Sequence, residues 1–270
     1  MNFLHLIWVE MRRALHRRVV WWMVALALAS CAFVGFIVFV TSDGITPFTD
    51  FSHPAYARNW SFASDDGGFL GVGGVFLAIG AAICGASVAG AEWKAGTITT
   101  VLTWAPSRWR LHTARTISAF ILAFLIGLAL LVVFLASAVP AVIVNGSTDG
   151  TGGDYWNVLG LAMLRLAFVS ALLAVLAFNI ATIGRNTAPA LVALAIWALV
   201  GENIIRGLRP KVARFLITDN LGIVIEWGTF EDAGYIRGPG LALATLLLYL
   251  AIFVGAGLVS FTRRDIAGSS

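Results

Sequence analysis

The sequence predicts an all-α membrane protein with six transmembrane helices, on three observations: its composition, six long apolar runs, and the side of those runs on which its cations fall. Of 270 residues, 59% are hydrophobic and 12% charged, and mean hydropathy is +0.89. Water-soluble domains are far less apolar. The runs cover residues 19–41, 68–91, 116–144, 158–184, 188–205 and 240–261, against the ~20 residues a helix needs to cross a bilayer. With the N-terminus inside, eleven Lys and Arg face three acids on the inner side, and six face eleven outside. That asymmetry puts both termini in the cytoplasm of a cell (cytoplasmic or inner) membrane. Tyr155, Trp156, Trp60 and Tyr235 then fall at the outer interface, and Trp21, Trp22, Trp93 and Trp104 at the inner one, as aromatic belts do. The whole chain, 1–270, reads as a single transmembrane domain without a repeat.

Residues 1–18 form an amphipathic helix. Leu4, Ile7, Trp8, Met11 and Leu15 recur at three- and four-residue steps while Arg12, Arg13, His16 and Arg17 take the other side, the pattern of a helix lying in the interface among anionic lipid headgroups. An inner-leaflet anchor and a partner contact both fit it. The first span follows. Leu28-Ala29-Ser30-Cys31 fits a lipoprotein cleavage box, but an apolar run continues to Val40, so the span is expected to be retained. Residues 42–67, rich in Gly, Ser, Thr and Asp, read as exposed outer turns, as do 145–157.

The second span carries Gly68, Gly71, Gly73, Gly74, Gly80, Gly85 and Gly90, with Gly67 before it. Small residues let helices touch in lipid, so this span is expected to face protein; a helix that slides during a working cycle is the alternative. The inner loop at 92–111 is amphiphilic: Ile98, Val101, Leu102 and Ala105 share a side, Thr99, Thr100 and Thr103 lie on the flank, and Pro106 ends what Gly96-Thr97 starts. A short helix lying beneath the membrane follows. Spans four and five are joined through Arg185, Asn186 and Thr187, with Pro189 in the next first turn, a tight hairpin. The outer segment 206–238 carries Val212, Phe215, Leu216, Leu221, Ile223, Val224, Ile225 and Trp227 and is expected to pack on the spans as two short outer-leaflet helices.

Arg165 and Glu202 are the charges set within spans, both roughly 8–10 Å below the outer surface at ~1.5 Å per residue. An intramembrane ion pair and snorkelling to the headgroups are the two readings. Cys31 and Cys84 lie in opposite halves of their spans by the same depth argument, which disfavours a disulfide. His5 and His16 share a helical side but stand about 16 Å apart, too far to hold one metal. Neither lysine sits in a phosphate-cradling Gly-rich loop, and no Ser, His and acid set shares a depth. The cations form no stripe suited to nucleic acid. No catalytic, metal or cofactor-binding residue is assigned.

The inner loop, through Glu92, Gly96-Thr97, Leu102, Pro106-Ser107-Arg108 and Arg115, resembles the first cytoplasmic loop of ABC transporter type-two permeases. Glu10 with Arg12, Arg13 and Arg17 resembles that family's N-terminal helix, and Phe261-Thr262-Arg263-Arg264-Asp265-Ile266 its exit from the sixth span. Arg115 is a departure, since the family more often has Lys there. The resemblance implies that roughly residues 94–104 are a coupling helix docking on a separate nucleotide-binding ATPase subunit, through Glu92, Gly96, Thr97, Thr99, Thr103, Pro106 and Arg108. It implies a second permease chain, identical or paralogous, with ATP and Mg bound on the partner ATPase and not by this chain. It further implies a path at the dimer axis lined by spans two and five, with Phe69, Phe76, Trp197 and Glu202 as candidates. The expected function is that of a non-catalytic permease subunit of an ATP-driven exporter. Apolar walls suit a lipophilic or drug-like substrate, as in multidrug efflux. A non-transporting scaffold or sensor partner of an ATPase shares these marks; a lipid-modifying enzyme lacks catalytic groups to support it.

Overall fold

A computed structural model of the chain describes residues 2–44, 53–61, 68–94, 107–232 and 235–263. Among the described residues six helices are long and apolar enough to cross a membrane. A first helix, α1 (Phe3–Leu15), precedes them and breaks at Arg17, whose extended backbone turns the chain into α2 (Arg18–Thr41). The next four are α3 (Gly68–Lys94), α4 (Arg108–Asn145), α5 (Gly153–Gly184) and α6 (Thr187–Leu208). A 3-10 turn (Pro210–Phe215), α7 (Ile217–Glu226) and a hairpin of β1 (Phe230–Asp232) with β2 (Tyr235–Arg237) lead into α8 (Pro239–Arg263).

The elements end where local chemistry stops them. Arg12 and Arg13 in the last turn of α1 complement its C-terminal dipole. The α5–α6 turn is as tight as expected: Arg185 takes a left-handed conformation, φ 52°, and the Asn186 side chain accepts from the Ala188 amide at 3.2 Å to cap α6. Within α6, Trp197–Gly201 form a π turn. Helix α4 begins at Arg108, eight residues before the expected span, because polar Arg108 and Arg110 lower the hydropathy there without breaking the helix. Its 38 residues reach ~57 Å, well past a ~30 Å hydrocarbon core.

Helix α5 is the centre of the bundle. In its most apolar stretch 72% of residues are buried, against 39% or less in the other five. Helices α3, α4 and α8 pack on it, α2 packs on α4, and α7 lies against α5 and α8. Apolar clusters fill the seams: Leu131, Phe134, Leu159 and Leu166 between α4 and α5, and Val169, Ile223, Val224 and Leu246 under the outer segment. The second-span glycines serve close approach on one face. A Cβ at Gly85 would overlap the Ala174 carbonyl of α5, and one at Gly90 would overlap Thr187. The other face, with Phe76 and Ile79, is not covered by this chain.

One expectation about the outer loops changes. Residues 53–61, within the expected turns of 42–67, form a mostly buried plug: Ala55, Ala57 and Trp60 are covered, Ala57 donates to Ser147 O at 3.1 Å, and the Tyr155 hydroxyl donates to Ala57 O. Backbone pairing across the loops satisfies polar groups that composition assigns to water. Trp60 therefore faces inward, its Nε1 donating to Pro54 O at 2.8 Å, while Trp156 remains half-exposed. The segment 206–238 does hold two short helices packed on the spans, and the β1–β2 hairpin is an addition to them.

Candidate functional site

Four helix ends meet at one end of the bundle. On α1 the buried face is Leu6, Glu10 and Ala14, whereas Leu4 and Trp8 of the apolar stripe are exposed. Glu10 has a partner on α4. Arg115 Nε donates to Glu10 Oε2 at 3.1 Å and Arg13 Nη1 to Oε1 at 2.8 Å. Glu10 and Arg115 are 7% and 5% exposed, Arg13 38%, so the first pair is a desolvated clamp and the second a surface support. The Ser118 hydroxyl donates to Ile7 O at 3.0 Å beside it.

A second tie joins α4, α5 and α8. His112 Nε2 lies 3.1 Å from Asn179 Oδ1. Asn179 Nδ2 donates to Val175 O, which turns its oxygen toward the imidazole as an acceptor. Phe178 and Phe261 sandwich the ring at 5.7 Å each. Both ends of the inner loop converge here: Trp93 meets Phe261 edge-on at 6.3 Å, Arg185 lies over the Trp93 ring at 4.7 Å, and Arg108 Nη1 donates to Thr262 O at 3.2 Å. Of the loop residues named above, Arg108 is placed by these contacts. Gly96, Thr97, Thr99, Thr103, Pro106 and the Glu92 side chain lie outside the described residues. Sequence reasoning named Glu10 and Arg115 separately; His112 and Asn179 carry no local signal that pairs them.

Between α2, α3 and α4 lies an apolar cavity of about 230 Å³. Phe76 lines it. Phe69 instead stacks on Phe134, ring centres 4.3 Å apart, and Trp197 and Glu202 stand on α6, away from the cavity. The four path candidates are therefore not gathered at one place. Cys31 and Cys84, both free, line the same cavity.

The Arg165–Glu202 ion pair does not form. Glu202 is fully buried and caps α7: the Ile217 and Thr218 amides donate to its two oxygens at 2.9 and 3.0 Å, the Thr218 hydroxyl donates to Oε2, and Trp197 Nε1 donates to Oε1 at 3.1 Å. A helix N-terminus offers unpaired amides and positive potential, which satisfy a carboxylate as a cation would. Arg165 lies over the Trp227 ring, 4.9 Å away, at the other end of α7. Arg206, one turn after Glu202, adds an ion pair to Asp219 at 2.5 Å. Arg237 closes the outer segment, donating to Asn220 Oδ1 at 3.0 Å, Leu241 O at 3.1 Å and the Thr245 hydroxyl. Burial, then the nearby Arg214 charge, pulls the pKa of Arg237 below its ordinary value.

Since α7 separates Arg165 from Glu202 by ~15 Å, the losses from Arg165→Ala and Glu202→Ala should add to within ~0.5 kcal/mol in detergent unfolding. Glu202→Ala alone should cost about 2 kcal/mol through the lost cap. A coupling above ~1 kcal/mol would restore the ion pair.

A family model described as "Protein of unknown function (DUF2705)" matches residues 21–267. No curated protein matches the chain.

Proposed function

The chain belongs to the DUF2705 family, and from its own residues we propose that it is the membrane-spanning permease subunit of an ABC exporter. It forms the substrate path and couples it to ATP hydrolysis on a separate nucleotide-binding subunit. ATP and Mg stay on that subunit, and a second permease chain completes the transporter. The substrate is lipophilic or drug-like, in keeping with apolar cavity walls. Both termini lie in the cytoplasm, α1 in the inner interface, and α7 in the outer leaflet.

The observation that carries this reading is the anchoring at both ends of the inner loop. Trp93 before it and Arg108 after it hold the end of α8, and Arg115, two turns on, holds α1. A partner pushing on residues 95–106 therefore acts on α3, α4, α8 and α1 together, because packed helices move as bodies. The loop's likeness to type-two permeases, at Gly96-Thr97 and Pro106-Ser107-Arg108, supports a coupling role for it.

The test is reconstitution with a cassette ATPase that co-purifies with the chain. ATP hydrolysis stimulated by a lipophilic substrate, together with ATP-dependent flux in liposomes, is the expected result. Stable binding of the ATPase with neither stimulation nor flux would make the chain a scaffold or sensor instead.

A further inference from the structure

We infer that the cavity between α2, α3 and α4 is a lipid site, taking one acyl chain of an anionic phospholipid from the inner leaflet with its phosphate against Arg17. The packing pattern makes the slot: α2 leans on α4 and α3 leans on α5, so the two part and α4 floors the gap. Its lining runs along α2 from Val20 to Val34, ~21 Å at the helical rise. One leaflet of hydrocarbon is about 15 Å deep, so a tail fits lengthwise. The volume of about 230 Å³ exceeds the ~150 Å³ at which a dry apolar cavity already takes up benzene.

Charge selects the headgroup. Ala14 and Val20 line the slot at the end where α1 gives way to α2, and Arg17 and Arg18 stand between them. Arg17 reaches across to α3, donating to Ser87 O at 3.0 Å beside the lining residue Val88. An apolar slot with a cation at one mouth matches a molecule with a long tail and an anionic head. This site would exist whether or not the chain is a permease.

The chain supplies its own reporters, because Cys31 and Cys84 are its two cysteines and both line the slot. The measurement is the rate at which a membrane-permeant maleimide labels them in the purified full chain in micelles. Phosphatidylglycerol, phosphatidylcholine of the same chains, or glycerol phosphate is added. Phosphatidylglycerol should protect at about fivefold lower concentration than phosphatidylcholine, the worth of roughly one cation beside an anionic head, and glycerol phosphate should not protect. Arg17→Gln should narrow that difference. Gly80 lines the slot and a Cβ there meets nothing within 4 Å, so Gly80→Leu should fill the slot, slow labelling without lipid and abolish the lipid response. Gly80→Ala, too small to fill it, should keep that response. Equal protection by both lipids, protection by glycerol phosphate, or an unchanged lipid response in Gly80→Leu would overturn the assignment. Protection that follows protein concentration instead of lipid would give the slot to a second copy of the chain, and would overturn it too.

Discussion

Glu10→Ala should destabilise the chain by about 3–5 kcal/mol, the usual loss when one member of a buried ion pair is removed. The substitution leaves the Arg115 guanidinium, 5% exposed, without its carboxylate. Arg115→Ala should cost less, because Glu10 keeps Arg13 at 2.8 Å, and Arg13 is 38% exposed and so partly solvated. Glu10→Leu combined with Arg115→Met should recover most of the loss, since an apolar pair of similar volume avoids desolvating either charge. Thermal or denaturant unfolding of the purified chain in micelles reads all three. A Glu10→Ala variant within about 0.5 kcal/mol of the parent would mean that α1 is not held by this pair. If the permease reading holds, Glu10→Ala should also weaken substrate stimulation of the partner ATPase, because α1 would no longer follow α4.

Gly85→Val should have an effect of similar or greater size. Even a Cβ at this position overlaps the Ala174 backbone, so α3 and α5 must separate along their length. Overpacking of a core costs about 1–3 kcal/mol, and backbone, unlike a side-chain tip, cannot swing aside. The expected result is loss of monodisperse protein on size exclusion, with Gly80→Ala as the matched control that behaves like the parent. Normal yield and melting of Gly85→Val would show that α3 and α5 are not in contact there.

Most of the fold is legible in the sequence because a bilayer imposes length. Each span is a continuous apolar run, and eleven of the twelve expected span limits move by five residues or fewer. The exception is the start of α4, where Arg108 and Arg110 end the hydropathy signal but not the helix. Periodicity finds α1 and its apolar stripe, and Leu4 and Trp8 are open as a lipid-facing stripe would be. It does not find the contact of Glu10 with a residue 105 positions away, because local spacing holds no record of such a partner.

The same limit explains the outer half. Depth arithmetic puts Arg165 and Glu202 at one level and so suggests a pair, but it counts charges and omits backbone amides. The outer segment returns and offers Glu202 the first turn of α7, so the carboxylate needs no cation. A helix start at Thr218-Asp219 was the available signal. The cavity was not legible at all: the chain divides its walls among α2, α3 and α4, and the glycines that mark close packing at Gly85 mark open space at Gly80.

The most direct measurement is site-specific photocrosslinking from Thr99 and Thr103 in membranes that contain a co-expressed cassette ATPase. The expected result is an adduct of the chain with the ATPase, changing in yield when ATP is trapped. Contradiction would be a chain that supports substrate movement without any ATPase while neither position yields such an adduct.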